Sequence, residues 1–272
     1  MINPVILVPL DGSEAALAAL PVAKVLGQIA PAALRLLHVA EREPPDAELL
    51  SRLRLQARDL DDATLDARTG EPASEILRYA EEMKPLGIIL CKHTAPAPRE
   101  RLGSTAARVL HSTSDLLVLV PPERGAAPWR LQHVLVPHDG TPRTSVGLRP
   151  AVDIAERAGA ELLLVHVADL KAAPGEPGSL IPPLYIDHPQ HDWPAWTSEF
   201  VRRFASLCLH GHVHVRFRLA YGDPTIEVLR LAKEQSADLL LLAWRGALDE
   251  PRTEILNSLV AEAHCPVMVL RA

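Results

Sequence analysis

The sequence predicts an α/β protein of two doubly wound domains, each built on a five-stranded parallel sheet. Three observations carry that expectation. The chain repeats itself, with one unit of about 130 residues present twice. Within each copy, short runs rich in Leu, Val and Ile alternate with longer stretches of helical periodicity. The short runs are continuously apolar, as strands of a parallel sheet covered on both faces are.

The repeat is explicit in the residues. PVILVPLDGS (4–13) returns as QHVLVPHDGT (132–141), and ALRLLHVAE (33–41) returns as ELLLVHVAD (161–169). Asp11 stands as far from His38 as Asp139 stands from His166. ARTGEPASEILRYAEE (67–82) returns as LAYGDPTIEVLRLAKE (219–234), and DLLVLV (115–120) returns as PVMVLR (266–271). Pro and Gly punctuate 121–128 as a linker, which sets the domains at 1–124 and 130–272.

The first copy reads in order as a strand at 4–9, a helix at 14–28, a strand at 33–39 and a helix at 46–58. A strand at 62–68 follows, then a helix at 73–84 opened by Gly70-Glu71-Pro72, whose Pro suits a first helical turn. A strand at 86–91, a helix at 104–112 and a strand at 115–120 complete it. Right-handed crossovers place the first strand centrally, with the second and third to one side and the fourth and fifth to the other. The last strands, 115–120 and 266–271, are apolar edges that can satisfy each other, an intrachain pseudo-dimer. The second copy carries an insertion at 170–194 that the repeat does not explain, followed by a helix at 193–209.

The 272 residues are 48% apolar and 23% charged, with only 4% aromatic, so Leu, Val, Ala and Ile must build the cores. A net charge of −6 argues against a nucleic-acid groove or an anionic membrane as main partner. Three cysteines at unpatterned spacings give no disulfide framework. There is no export signal and no apolar run long enough to span a membrane. The expectation is a reduced, cytoplasmic protein.

Ligands of an open α/β sheet collect at the carboxyl ends of the strands where the winding reverses. Here these are the exits of strands one and four. Strand one ends Val8-Pro9-Leu10-Asp11-Gly12-Ser13, its twin Val136-Pro137-His138-Asp139-Gly140-Thr141. Asp11 either meets a ribose hydroxyl or ring nitrogen, or simply caps the following turn. Strand four runs into CKHTAPAPRERLGST (91–105), where Gly103-Ser104-Thr105 opens a helix whose N–H groups suit a phosphate, with Lys92, Arg99 and Arg101 as nearby cations. The bland reading of the same stretch is an ordinary N-cap with solvated basic residues.

Other constellations carry less. His210, His212 and His214 share one strand face, but Arg216 and Arg218 continue it, so an exposed face is expected and no metal. Cys91 beside Lys92 and His93 is a redox candidate, with a small buried thiol as the better reading. Trp193 and Trp196 pack the insertion in preference to stacking a base. No nucleophile elbow, zinc-protease helix or Walker loop appears, so no enzyme is expected.

With these residues in hand, the chain resembles the universal stress protein family as a tandem of two domains. The resemblance rests on Asp-Gly-Ser/Thr after strand one, His-Val at the end of strand two, Gly-acid-Pro before helix three and Gly-Ser before helix four. It implies a fold of the adenine nucleotide alpha hydrolase-like kind, with domains that pair through the last strand. In nucleotide-binding members the loop after strand four follows G-x2-G-x9-G-[ST] around the phosphates, and positions matching Pro9, Asp11 and Val39 line the adenosine end. The resulting candidates for ATP or AMP in the first domain are Pro9, Leu10, Asp11, His38, Val39, Lys92, Gly103, Ser104 and Thr105.

The loops depart from that pattern. Cys91 and Thr94 stand where the first two glycines belong, and the spacing to Gly103 is one residue short. In the second copy the helix start lacks Gly-Ser, and Asp249, Glu250 and Glu254 would repel phosphates. Two readings therefore stand. One is a regulatory module that holds an adenine nucleotide in domain one, with domain two degenerate. The other is a nucleotide-independent stress-response protein that works by interaction or oligomerisation, as a homodimer or with a protein partner the sequence does not name. Weak ATP hydrolysis is a third, lesser reading.

Overall fold

The computed structural model describes residues 4–42, 46–93, 102–139, 142–168, 213–244 and 251–271. The insertion at 170–194, the expected helix at 193–209, His210, His212, the loop residues Thr94 to Arg101 and the acidic pair Asp249 and Glu250 lie outside the described residues. The chain divides into two compact units, one of Met1–Arg130 with Gly246–Arg271, the other of Leu131–Arg245.

In the first unit β1 (Val5–Pro9), β2 (Ala33–Ala40), β3 (Ala63–Thr69), β4 (Gly87–Cys91) and β5 (Leu117–Val120) are parallel in the order β3-β2-β1-β4-β5. This is the order the alternating pattern predicts. Leu7, Val8, Ile88 and Ile89 sit at its centre, shielded from solvent. α1 (Ala19–Ile29) presents Ala19, Val22, Ala23 and Leu26, the i, i+3, i+4, i+7 stripe of a helix lying on a sheet. The helix expected from 14 opens as a 3-10 turn, Ala15–Ala18, and Pro21 then falls in the first turn of α1, where its missing N–H is tolerated.

The helix expected over 46–58 is shorter: α2 spans Asp46–Arg52. Arg54 turns left-handed (φ 57°), and the Leu55 N–H returns to the Leu50 carbonyl at 2.9 Å, so the chain closes the helix end there. Burial of Leu53 and Leu55 drives that turn, and a 3-10 turn at Ala57–Leu60 follows. α3 (Pro72–Met83) starts where expected, since Glu71 accepts from the Ala73 and Ser74 N–H groups at 3.2 and 2.8 Å. α4 covers Ser104–Ser112.

The second unit repeats the scheme with β6 (His133–Pro137), β7 (Glu161–Ala168), β8 (Val215–Tyr221) and β9 (Leu239–Trp244), parallel in the order β8-β7-β6-β9. Its helices are α5 (Pro142–Ser145), α6 (Leu148–Ala158) and α7 (Pro224–Glu234). α8 (Pro251–Glu262) and β10 (Val267–Arg271) come last in sequence but belong to the first compact unit. β10 runs antiparallel to β5, pairing Val267 with Leu119, Met268 with Val118 and Val269 with Leu117. These are the two apolar edges that the sequence expected to meet. Their hydrogen bonding is why compactness and the sequence repeat assign the last helix and strand differently.

Of the histidine face on β8, His214 is described. Its Nδ1 lies 2.6 Å from Glu161 Oε1, and Arg216 reaches the same carboxylate at 3.2 Å, an ion-paired exposed face. Among the described residues no His, Cys, Asp or Glu cluster is arranged to hold a metal, and no helix is long and apolar enough to cross a membrane.

Candidate functional site

The strand order β2-β1-β4 places the ends of three adjacent parallel strands along one edge of the first unit's sheet. At the β1 exit, Pro9 and Leu10 are buried. The Leu10 N–H donates to the Leu37 carbonyl at 2.8 Å, which extends the β1–β2 pairing one residue beyond the strand. The Leu10 carbonyl in turn accepts from His38 Nδ1 at 2.8 Å. A carbonyl can only accept, so Nδ1 carries a proton, and the buried Nε2 meets no partner among the described residues. Val39, next on β2, is half-buried.

Asp11 is exposed, and its Oδ1 accepts the Ser13 N–H at 2.9 Å, while Ser13 Oγ accepts from Ala16 at 3.1 Å. The turn-capping role weighed in the sequence is therefore present, and the Asp11 side chain remains exposed. Gly12 is required twice over. Its φ is +88°, and a Cβ there would stand 2.9 Å from the Arg52 carbonyl oxygen. The end of α2 thus forms a backbone wall beside the Asp11 turn. Nothing in the sequence, where 46–58 reads as one helix, signals that wall.

At the β4 exit, the Lys92 N–H donates to Val120 at 2.9 Å, and the Gly103 N–H donates to the Lys92 carbonyl at 2.8 Å. The loop between them is thereby closed at its base. Gly103 has an ordinary φ of −61°, so its smallness answers close approach: a Cβ would sit 3.4 Å from both His93 Cα and the Lys92 oxygen. The N-cap of α4 is Gly103, which has no side chain to cap the helix. The N–H groups of Ser104 and Thr105, in the first turn, have no intrahelical acceptor, as at any helix start, and such a start can receive an anion. His93 beside them is buried with an Nε2 that meets no partner among the described residues. The sequence named His93 only as a neighbour of the Cys91 thiol; the structure sets its backbone against Gly103 at the start of α4. Arg108 on α4 bonds Glu71 at 2.9 Å and Ser74 at 2.8 Å, which fixes α4 against the start of α3.

Lys92 does not stand in this mouth. It is 4% exposed, and its ammonium donates to the Ala261 and Ala263 carbonyls at 2.6 and 3.1 Å, at the C-terminal end of α8. It caps that helix, whose dipole favours a cation there. Burial pushes its pKa down, opposed by Glu123 and other nearby groups. Cys91 is equally enclosed: its thiol donates to the His93 carbonyl at 3.0 Å, and burial lifts its pKa to about 11, with the Asp11 charge adding to the rise. That contribution shows the two strand exits to be electrostatic neighbours. It also makes Cys91 the inert thiol of the two alternatives.

The twin exit in the second unit keeps one device and changes another. His166 Nδ1 meets the His138 carbonyl at 2.8 Å, just as His38 meets Leu10. Where the first unit has the aliphatic Leu10, the second has His138, buried, with Nε2 3.1 Å from Ser145 Oγ and a pKa lowered by burial to about 4. Asp139 accepts from Thr144 Oγ1 at 2.6 Å.

The fold and these turns can be set against known proteins. The universal stress protein family model matches the chain twice, at residues 3–121 and 130–271. A universal stress protein of Methanocaldococcus jannaschii is 23% identical over 145 residues, 51% of this chain and 81% of its own length. Among solved structures, a universal stress protein of Archaeoglobus fulgidus superposes with a TM-score of 0.68 at 17% identity, covering 98% of both chains. A functionally unknown protein of Pseudomonas aeruginosa gives 0.73 at 15% identity, over 99% of this chain and 92% of its own. With both halves matched by the family model and the doubly wound sheet order in each, the chain belongs to the universal stress protein family.

Proposed function

We propose that the first unit is a regulatory binding module for an adenine nucleotide, ATP or AMP, held along the β2-β1-β4 edge. The observation that carries this reading is the glycine-capped start of α4 packed against buried His93, whose Nε2 meets no partner among the described residues. Ser104 and Thr105 N–H groups receive the phosphate, with Gly103 small enough to let the helix start approach the β4 exit. Pro9, Leu10, Asp11 and Val39 line the nucleoside end, where the exposed Asp11 carboxylate meets a ribose hydroxyl or ring N–H. His38 positions this end by holding the Leu10 carbonyl. In the second unit His138 occupies the corresponding turn, so one nucleotide per chain is expected. The module is read as binding without turnover.

Calorimetric titration with ATP and AMP tests the reading. Asp11→Asn keeps the acceptor for the Ser13 N–H but removes the charge. It is expected to weaken AMP binding about tenfold, the loss of a little over 1 kcal/mol. No saturable heat at millimolar nucleotide would reject the proposal. One observation favours the second reading, a nucleotide-independent interaction protein: Lys92, one of the three cations foreseen for the phosphates, is committed to α8. That reading gains if the titration is blank and native chains associate in sedimentation.

A further inference from the structure

We propose a second binding site in the first unit, for a small amphipathic organic anion with a flat apolar body and one carboxylate. A groove of about 460 Å³ lies between α1, the Arg54–Asp59 segment and the chain just beyond the first repeat. That volume falls within the roughly 300–1,000 Å³ of small-molecule sites. The groove shares no lining residue with the strand-exit mouth.

Its floor is apolar. Leu20, Pro21 and Val25 face it from α1, and Trp129, only 8% exposed, closes it from the linker side. An indole wall of this kind favours a flat ring over a branched chain.

The polar groups at its rim are unequal. Lys24 Nζ and Asp59 Oδ1 lie 3.1 Å apart, and Asp59 Oδ2 also accepts the Gln56 N–H at 3.0 Å, so this pair neutralises itself. Arg54 is different. Among the described residues it pairs with Glu14 at 3.7 Å, a loose ion pair in which both side chains are largely exposed. A guanidinium whose ion pair is long and solvent-exposed therefore borders an apolar groove, and an incoming carboxylate can displace that weak partner. A carboxylate is the planar acceptor that a guanidinium fork matches.

The backbone supports the same assignment. Arg54 occupies the left-handed position that ends α2, where Gly is the favoured residue. A non-Gly residue in such strain, with its side chain on a cavity rim, points to a use for the side chain.

The probe is 2-naphthoate, with 2-naphthalenemethanol as its uncharged analogue, titrated into the full chain and followed by NMR. Saturable shifts are expected at Leu20, Val25 and Trp129, with the alcohol binding at least tenfold more weakly. Arg54→Gly removes the guanidinium and relieves the backbone. It is expected to lose at least tenfold in naphthoate affinity while its Tm is equal to or above that of the parent, so a folding defect cannot imitate the result. Arg54→Lys retains an intermediate affinity. The proposal is overturned by no saturable binding in the millimolar range, by equal affinity for acid and alcohol, or by naphthoate affinity unchanged in Arg54→Gly. It is also overturned if the groove residues shift with protein concentration alone, which would assign the surface to a second copy of the chain. None of these outcomes depends on AMP binding at the strand exits.

Discussion

Ser104→Pro isolates the backbone donor on which the nucleotide reading depends. Ser104 is the first residue of α4, the helical position where proline is best accepted. Gly103 before it has φ −61° and ψ 151°, the extended backbone that a following proline requires. The fold should therefore hold, with stability changed by less than about 0.5 kcal/mol and Tm by less than about 2 °C. What disappears is the one N–H that the proposed function gives to the phosphate. A hydrogen bond to a charged acceptor contributes roughly 1.5–3 kcal/mol, so AMP affinity should fall about 10- to 100-fold. Adenosine, which lacks the phosphate, should bind the variant as it binds the parent. Calorimetric titration of both ligands into both proteins, with thermal unfolding alongside, gives the comparison. Equal losses for AMP and adenosine, or none for AMP in a folded variant, would refute the placement of the phosphate at α4.

Two further predictions follow from buried groups. Cys91, with its thiol near 11, presents about one part in a thousand of thiolate at pH 8, so iodoacetamide should label it at least a hundredfold more slowly in the native chain than in urea. Labelling at the unfolded rate, read by peptide mass, would contradict its burial. His138 has a folded pKa near 4 against an ordinary 6.5. The unfolded chain therefore binds the extra proton between those values, and stability should be flat above about pH 6.5 and fall as pH drops toward 4, by about 2 kcal/mol at pH 5. His138→Leu, which installs the residue of the twin position, should flatten that fall in urea titrations at pH 7.5 and 5. An unchanged pH dependence would assign it elsewhere, His166 included.

The doubly wound order was legible because each strand is a continuous apolar run and each crossover has its own start signal, such as Glu71-Pro72. The pairing of β5 with β10 was legible too, since both are short apolar edges with no other cover. Local chemistry at the site was half readable. Asp11-Gly12 announced a turn, but not that Gly12 must also clear the Arg52 carbonyl, because that contact comes from a helix whose end depends on burying Leu53. Lys92 was misjudged as to partner for a related reason. A lysine beside a Gly-Ser helix start looks like an anion ligand, and nothing near it in the chain reveals two carbonyls from α8. The groove under Trp129 left no trace in the pattern, because its walls are three segments that only tertiary packing assembles.

The Lys92 contacts and the β5–β10 ladder also have a meaning in time. The first unit completes its sheet, and finds acceptors for its buried ammonium, only with residues about 150 positions downstream of β5. At synthesis rates of about 5–20 residues per second, the first repeat leaves the ribosome roughly 8–30 s before those residues exist. During that interval its fifth strand is an open apolar edge, so the growing chain passes through a sticky, unfinished state that the mature protein no longer shows.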